Sequence, residues 1–196
     1  PRLPIFLTIP HSGETVPTEA LWLKSVSPEV LLTDVDRFVD QLYRDTASAL
    51  PVPALMTSVH RYVADLNRYP DDVDVDGVEG ASARSGEFAK GFHWVLTTQG
   101  QKLMQKPISA QLHAQLVREY HDGFHAEVER KVHALRGKFG ADATIYHLDC
   151  HSMPSTGTAA HADAGKRRPD VVISDFNGKS ASARFKDAVI AAFDQV

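Results

Sequence analysis

Ile5-Phe6-Leu7-Thr8-Ile9-Pro10-His11-Ser12-Gly13-Glu14 is the stretch from which the fold is read. A short apolar run closed by turn residues predicts a buried strand over residues 3–9, with a polar loop from His11 to Pro17. The same pattern returns far along the chain in Thr144-Ile145-Tyr146-His147-Leu148-Asp149-Cys150-His151-Ser152. In open α/β sheets, ligands bind beyond the carboxyl ends of the strands. Two histidines leaving two such ends can therefore converge on one ion, and imidazole with carboxylate is the usual ligand set of a catalytic zinc. Either histidine alone reads equally well as a polar strand-end residue. The repeated His-Ser context favours the metal.

Working outward, Val35, Phe38, Val39 and Leu42 follow a helical period, predicting a helix from Pro28 or Asp34 to Leu50. Residues 52–60 read as a second strand. Residues 70–91 are rich in Asp, Gly and Ser and read as a long surface loop, of the length that is usually functional or disordered. Leu112, Leu116, Tyr120, Val128, Val132 and Leu135 make one stripe of a helix over 108–137, stopped by Gly137 and Gly140. A strand at 144–150, a further strand at 170–175 and a helix at 180–196 complete the pattern. Strands alternate with helices, which predicts an α/β fold with a largely parallel sheet.

The chain has 196 residues, 43% hydrophobic and 23% charged, enough for one domain with a sizeable core. A net charge of −4 gives no reason to expect nucleic acid or an anionic membrane as partner. No apolar run approaches a membrane span. Pro1-Arg2-Leu3-Pro4 leads directly into a strand without the features of a secretory signal, so the cytoplasm is the default location. The single cysteine, Cys150, excludes an intrachain disulfide and a cysteine-rich zinc site. It reads as a buried strand residue rather than a nucleophile.

The third metal ligand has two candidates. Glu14 stands in the spacing His-x-x-Glu after His11, and Asp36 on the following helix can aim back toward the end of the first strand. Asp36 could equally be a solvated charge at a helix start. Asp149, two residues before His151, could orient that ring as a supporting carboxylate. Arg61 with Asn67 and Arg68 suits an acidic substrate, because arginine grips carboxylates with a bidentate fork; surface salt bridging is the plainer alternative. His121 and His125 share a helix face at i, i+4, and His121 is read as lining the pocket rather than holding a second metal. His147 reads as a satisfied core histidine.

These residues together resemble the N-formylglutamate amidohydrolase (deformylase) family, relatives of the zinc carboxypeptidases. The resemblance is carried by Ile9-Pro10-His11-Ser12-Gly13, the run Asp34 to Tyr43, and Arg61-Tyr62-Val63-Ala64-Asp65-Leu66-Asn67-Arg68 with Asp71-Asp72. Tyr120-His121, Asp149-Cys150-His151-Ser152 and Arg168-Pro169-Asp170 follow in family order. It implies a three-layer α/β/α sandwich around a mixed sheet, one Zn2+ per chain, and hydrolysis of the N-acyl amide of an acidic amino acid such as N-formylglutamate. It assigns His11, Asp36 and His151 as metal ligands, with Asp36 preferred to Glu14. It makes Arg61 the cation that stabilises the oxyanion, and Asn67 and Arg68 the pair that holds the substrate carboxylate. It also implies that residues 1–196 are a single hydrolase domain lacking a C-terminal strand region, where relatives carry a glutamate as general base; this sequence has no Glu after Glu129. A carboxypeptidase or cell-wall amidase on the same scaffold is one rival function, and a non-catalytic binding module without the base is the other.

Overall fold

Strand β1 (Ile5–Ile9) sits at the centre of a parallel three-stranded sheet, between β2 (Ala54–Met56) and β3 (Tyr146–Asp149). The computed structural model describes residues 1–83, 90–159 and 161–195, so residues 84–89 of the expected 70–91 loop lie outside it. Contacts divide these residues into two compact units, Pro1–Met153 and Pro154–Val196.

In the first unit, alternation along β1 sorts its side chains. Leu7 and Ile9 pack with Ala54, Met56, Leu148 and Cys150 against Val39, Tyr43 and Ala47. Phe6 and Thr8 face the other way, where Phe6 stacks on His147 at 4.4 Å and Thr8 donates to Asp149 Oδ1 at 2.5 Å. Helices cover both sides of the sheet, and the class is α/β as expected. Cys150 is buried, and that burial pushes its thiol up to about 11, which suits packing and not nucleophilic attack. His147 is satisfied, since its Nε2 lies 2.7 Å from Thr8 Oγ1, but its residue stands exposed rather than in the core.

The expected first helix arrives as two, α1 (Pro28–Leu31) and α2 (Val39–Ala49). Ser27 caps α1, and Pro28 takes the first helical position where no amide hydrogen is needed. Between them the Asp36 amide bonds to the His11 carbonyl at 2.9 Å, and Phe38 adopts a left-handed φ of 67°. Helical φ/ψ is lost there, so residues 32–38 form the loop that brings Asp36 back to the end of β1. The strand expected over 52–60 is shorter for a similar reason. After Met56 the chain leaves the ladder and returns only at Val59, which bridges to Thr15.

The long helix runs as α3 (Ala110–Leu116), a π-helical segment over Val117–Asp122, and α4 (Gly123–Phe139). Ser109 caps it, and Gly140, with a φ of 113°, ends it. Phe124, Val117, Tyr120 and Val128 pack on Leu55, Ala64, Leu66 and Phe92. A larger cluster around Tyr62, Trp94, Met104 and Leu116 underlies the segment from Val59 to Val63. No helix among the described residues is long and apolar enough to cross a membrane.

The second unit corrects one expectation. Residues 170–175 form no strand, and Val171 and Val172 stand exposed. An apolar run becomes a strand only when a neighbouring backbone pairs with it, and none among the described residues does. The helix does form, as α5 (Ala183–Phe193) with Ser182 as its cap, but none of its residues is buried. Arg168 grips Asp163 with both ends of its fork, at 2.6 and 2.8 Å, and so closes the loop between them.

Candidate metal centre

Two sheet strands and one loop deliver three side chains to one point. His11 follows β1, His151 follows β3, and Asp36 hangs from the loop that the His11 carbonyl holds. One ligand atom from each lies within 4.8 Å of the others. Asp36 Oδ2 is 3.0 Å from His151 Nδ1 and 3.7 Å from His11 Nδ1. Glu14 is not part of this group: it points away, paired with Arg37 at 3.1 Å on the surface.

The His11 ring is oriented by Asp65. Its Nε2–H donates to Asp65 Oδ1 at 2.8 Å, which leaves the lone pair on Nδ1. That Nδ1 is buried and has no hydrogen-bond partner. An unsatisfied buried nitrogen costs about 1–3 kcal/mol unless something meets it. Beside a carboxylate and a second imidazole, what meets it best is a cation, so the donor set fits a zinc ion.

His151 is held at both ends. Asp149 Oδ2 accepts from Nε2 at 2.8 Å and Asp36 Oδ2 from Nδ1 at 3.0 Å. Burial alone would lower its pKa, but these two carboxylates outweigh burial and raise it to about 9. Burial likewise works against the charge on Asp36, yet the neighbouring His11 and His151 rings and the Arg61 charge bring its pKa down to about 2. Asp149 is brought down to about 2 despite its burial, by His151, Thr8 and Asn67. The site is therefore a set of ionised carboxylates interleaved with imidazoles.

Asp65, which stands inside the run Arg61 to Arg68, is the organising residue. It is fully buried and accepts four hydrogen bonds. His11 Nε2 and the Asn67 amide reach Oδ1; Arg61 Nη2 at 3.0 Å and Trp94 Nε1 at 2.9 Å reach Oδ2. Burial opposes its ionisation, but the His11 and Arg61 contacts hold its pKa far below the usual carboxylate range. A carboxylate between Ala64 and Leu66, inside an apolar run, was the available signal, because a charge is fully buried almost only when paired.

Of the remaining expected residues, Arg61 stands against the centre. Its Nη1 is 3.8 Å from Asp36 Oδ1 and bonds to the Asp34 carbonyl at 3.2 Å. Asn67 is drawn in as well, donating to Asp149 Oδ2 at 2.6 Å. Arg68 is exposed, and its guanidinium makes no ion pair among the described residues. His121 is placed otherwise: it packs on Phe92, on His125 at 4.3 Å and beside Asp122, not on the three clustered residues.

Known proteins give this geometry a context. The sequence profile of the N-formylglutamate amidohydrolase family matches residues 3–196. An N-formylglutamate deformylase of Pseudomonas aeruginosa is 27% identical over the whole chain, which spans 66% of that relative. The crystal structure of N-formylglutamate amidohydrolase from Ralstonia eutropha superimposes with a TM-score of 0.82 at 25% identity, over 98% of this chain and 69% of that one. A gene product of Agrobacterium tumefaciens shares the fold, with a TM-score of 0.62 at 16% identity over 85% of this chain and 56% of its own. The chain thus spans about two thirds of the curated relative it matches. With almost every residue inside the family's profile and the fold shared throughout, the chain belongs to the N-formylglutamate amidohydrolase family.

Proposed function

We propose that this chain forms one zinc-dependent hydrolase domain that cleaves the N-acyl amide of an acidic amino acid, with N-formylglutamate as substrate. The observation that carries this is the orphaned Nδ1 of His11, facing Asp36 and His151. His11, Asp36 and His151 would hold the ion. Bound there, zinc would supply an acidified water and a Lewis acid toward the amide carbonyl.

The protein's own groups do the rest. Asp65 keeps His11 in the tautomer that offers Nδ1, and Asp149 with Asn67 keeps His151 facing inward. Arg61 is the cation beside the reacting carbonyl; removing one such donor typically costs about 2.7–4 kcal/mol of transition-state stabilisation. Arg68 takes a substrate carboxylate, with the planar fork that suits it. Asn67 spends its amide nitrogen on Asp149, so its first service is to position His151. The family name of the relatives supports the acyl group and the amino acid. A small acidic substrate of this kind agrees with a cytoplasmic enzyme.

The test is metal content and hydrolysis measured together. Purified protein is expected to carry about one zinc per chain and to release formate from N-formylglutamate, followed by NMR. His11→Ala, His151→Ala and Asp36→Asn should each lose the metal, whereas Glu14→Gln should keep it. Full metal retention in both histidine variants would remove the centre, and loss of metal in Glu14→Gln alone would transfer the third ligand to Glu14.

A further inference from the structure

Arg61 stands beside the metal ligands with fewer hydrogen bonds than it can make. Its Nη2 donates to Asp65 Oδ2 at 3.0 Å and its Nη1 to the Asp34 carbonyl at 3.2 Å. Its Nε is buried and bonds to nothing among the described residues. Nη1 also lies 3.8 Å from Asp36 Oδ1, an ion pair beyond hydrogen-bond reach. A guanidinium with N–H groups to spare would ordinarily close that gap, because a buried pair is stable only when it is also hydrogen-bonded. Something else holds it off.

Trp94 lies against the guanidinium. Arg61 Cζ is 4.5 Å from the centre of the indole ring, within cation–π range. The ring itself is fixed. Trp94 is 3% exposed, packs on the Tyr62 ring at 5.5 Å and donates from Nε1 to Asp65 Oδ2 at 2.9 Å. Its backbone is pinned as well, to the Tyr62 carbonyl and by a bridge to Lys90. Asp65 thus holds one edge of the guanidinium and one edge of the indole, and the indole face sets where the guanidinium lies. Lys90 Nζ is 5.4 Å from the same ring centre, so a change to the ring touches both cations.

We propose that Trp94 is a positioning residue: its indole face holds the Arg61 guanidinium beside Asp36 without letting it close on that carboxylate. Asp36 thereby stays available to the ion, and Arg61 stays available to the reacting carbonyl. This role rests on the hydrolase function proposed above. Arginine suits it because its planar, weakly hydrated head stacks on an aromatic face while its edge still donates. With the attraction of the ring weakened, the guanidinium would move onto Asp36 and compete with the ion for it.

The experiment measures zinc affinity against a competing chelator in the unaltered chain and in Arg61→Ala. Each is prepared with ordinary tryptophan and with ring-fluorinated tryptophan at Trp22 and Trp94. Fluorination drains the negative ring face that attracts a cation and keeps the shape and the N–H. It should lower zinc affinity about three- to tenfold in the unaltered chain and by less than about twofold in Arg61→Ala, where no guanidinium can reach Asp36. Trp94→Phe keeps a ring face and should lose less zinc affinity than Trp94→Leu, with melting temperature reporting that each is folded. A purely structural role for the indole would weaken zinc equally in both backgrounds. Equal losses in the unaltered chain and in Arg61→Ala, or no loss in either, overturn the role of Trp94. An unaltered chain that binds no zinc overturns the hydrolase function instead.

Discussion

At the scale of single residues, the centre depends on a carboxylate that does not itself join the cluster. Asp65 satisfies His11, Arg61, Trp94 and the Asn67 amide at once, with no exposed surface. Replacing it by Asn keeps the shape but removes the charge and places an N–H where acceptors are needed. Asp65→Asn is expected to lower zinc affinity about 10–100-fold, measured against a competing chelator, because partners of metal-bound histidines typically matter that much. Asp149→Asn should cost less, since Asp149 is about a third exposed and water can replace part of its bond to His151. Equal losses in the two variants would show that burial is not what makes Asp65 dominant. His11 and His151 were legible as a candidate pair because strand ends announce where side chains emerge, whereas Asp36, read on a helix and open against Glu14, was preferred only through the family resemblance. Asp65 was less legible, because its place in an apolar run between Ala64 and Leu66 hints at burial without naming the partners that satisfy it. His121 misled for the opposite reason: its helix position was right, but the face it occupies turns to Phe92 and His125.

At the scale of elements, the loop after β1 holds the geometry, and Gly13 is where it is tightest. A Cβ there would fall against the backbone carbonyls of Ser58 and Val59, where the loop lies along the chain leaving β2. Thr15 N–H to Ser58 O and His60 N–H to Thr15 O, both 2.9 Å, lock that approach. Gly13→Ala must push one backbone off the other, an overpacking that typically costs about 1–3 kcal/mol. Since Gly13 is two residues from His11, zinc affinity should fall with the melting temperature. Gly137→Ala is the contrast: it lies inside α4 with nothing within 4 Å of an added Cβ, so it should stabilise by about 0.5–1 kcal/mol. A Gly13→Ala protein with unchanged melting temperature and metal affinity would show that the loop can yield. The three strands of the sheet and the long helix were legible from periodicity alone. Residues 170–175 were not, because an apolar run signals a wish for a partner strand and cannot supply one. The break between α1 and α2 was also hidden, as it arises from the Asp36 amide bonding to His11 across the fold.

For the molecule as a whole, buried histidines make folding sensitive to mild acid. His93 is 1% exposed, donates from Nδ1 to the Val63 carbonyl, and receives on Nε2 from His113 Nδ1 at 3.0 Å. Trp22 and Phe92 pack on its ring, and among the described residues His113 is a titratable group in contact with it. Burial lowers its pKa from 6.5 to about 4, the Val63 carbonyl opposing and His113 reinforcing the shift. Below pH 6.5 the unfolded chain takes up a proton that the folded chain refuses, so stability falls as pH falls from 6.5 toward 4. The full shift corresponds to an upper bound on the order of 3 kcal/mol. His60, His113 and His147 are also lowered by burial and add in the same direction. The lowered carboxylates Asp36 and Asp149 act only below about pH 4, where their unfolded forms begin to protonate. His151 is raised, so its contribution is already complete below 6.5 and does not vary across this window. The melting temperature should therefore decline between pH 6.5 and 4 for reasons that belong to buried imidazoles. His93→Gln removes the proton-binding site while keeping a side chain that can still donate and accept. It should flatten that decline more than His133→Gln, a substitution at an exposed position of α4. An acid decline as steep in His93→Gln as in the unaltered protein would place the sensitivity elsewhere than in the packing of Trp22, Phe92 and His113 around His93.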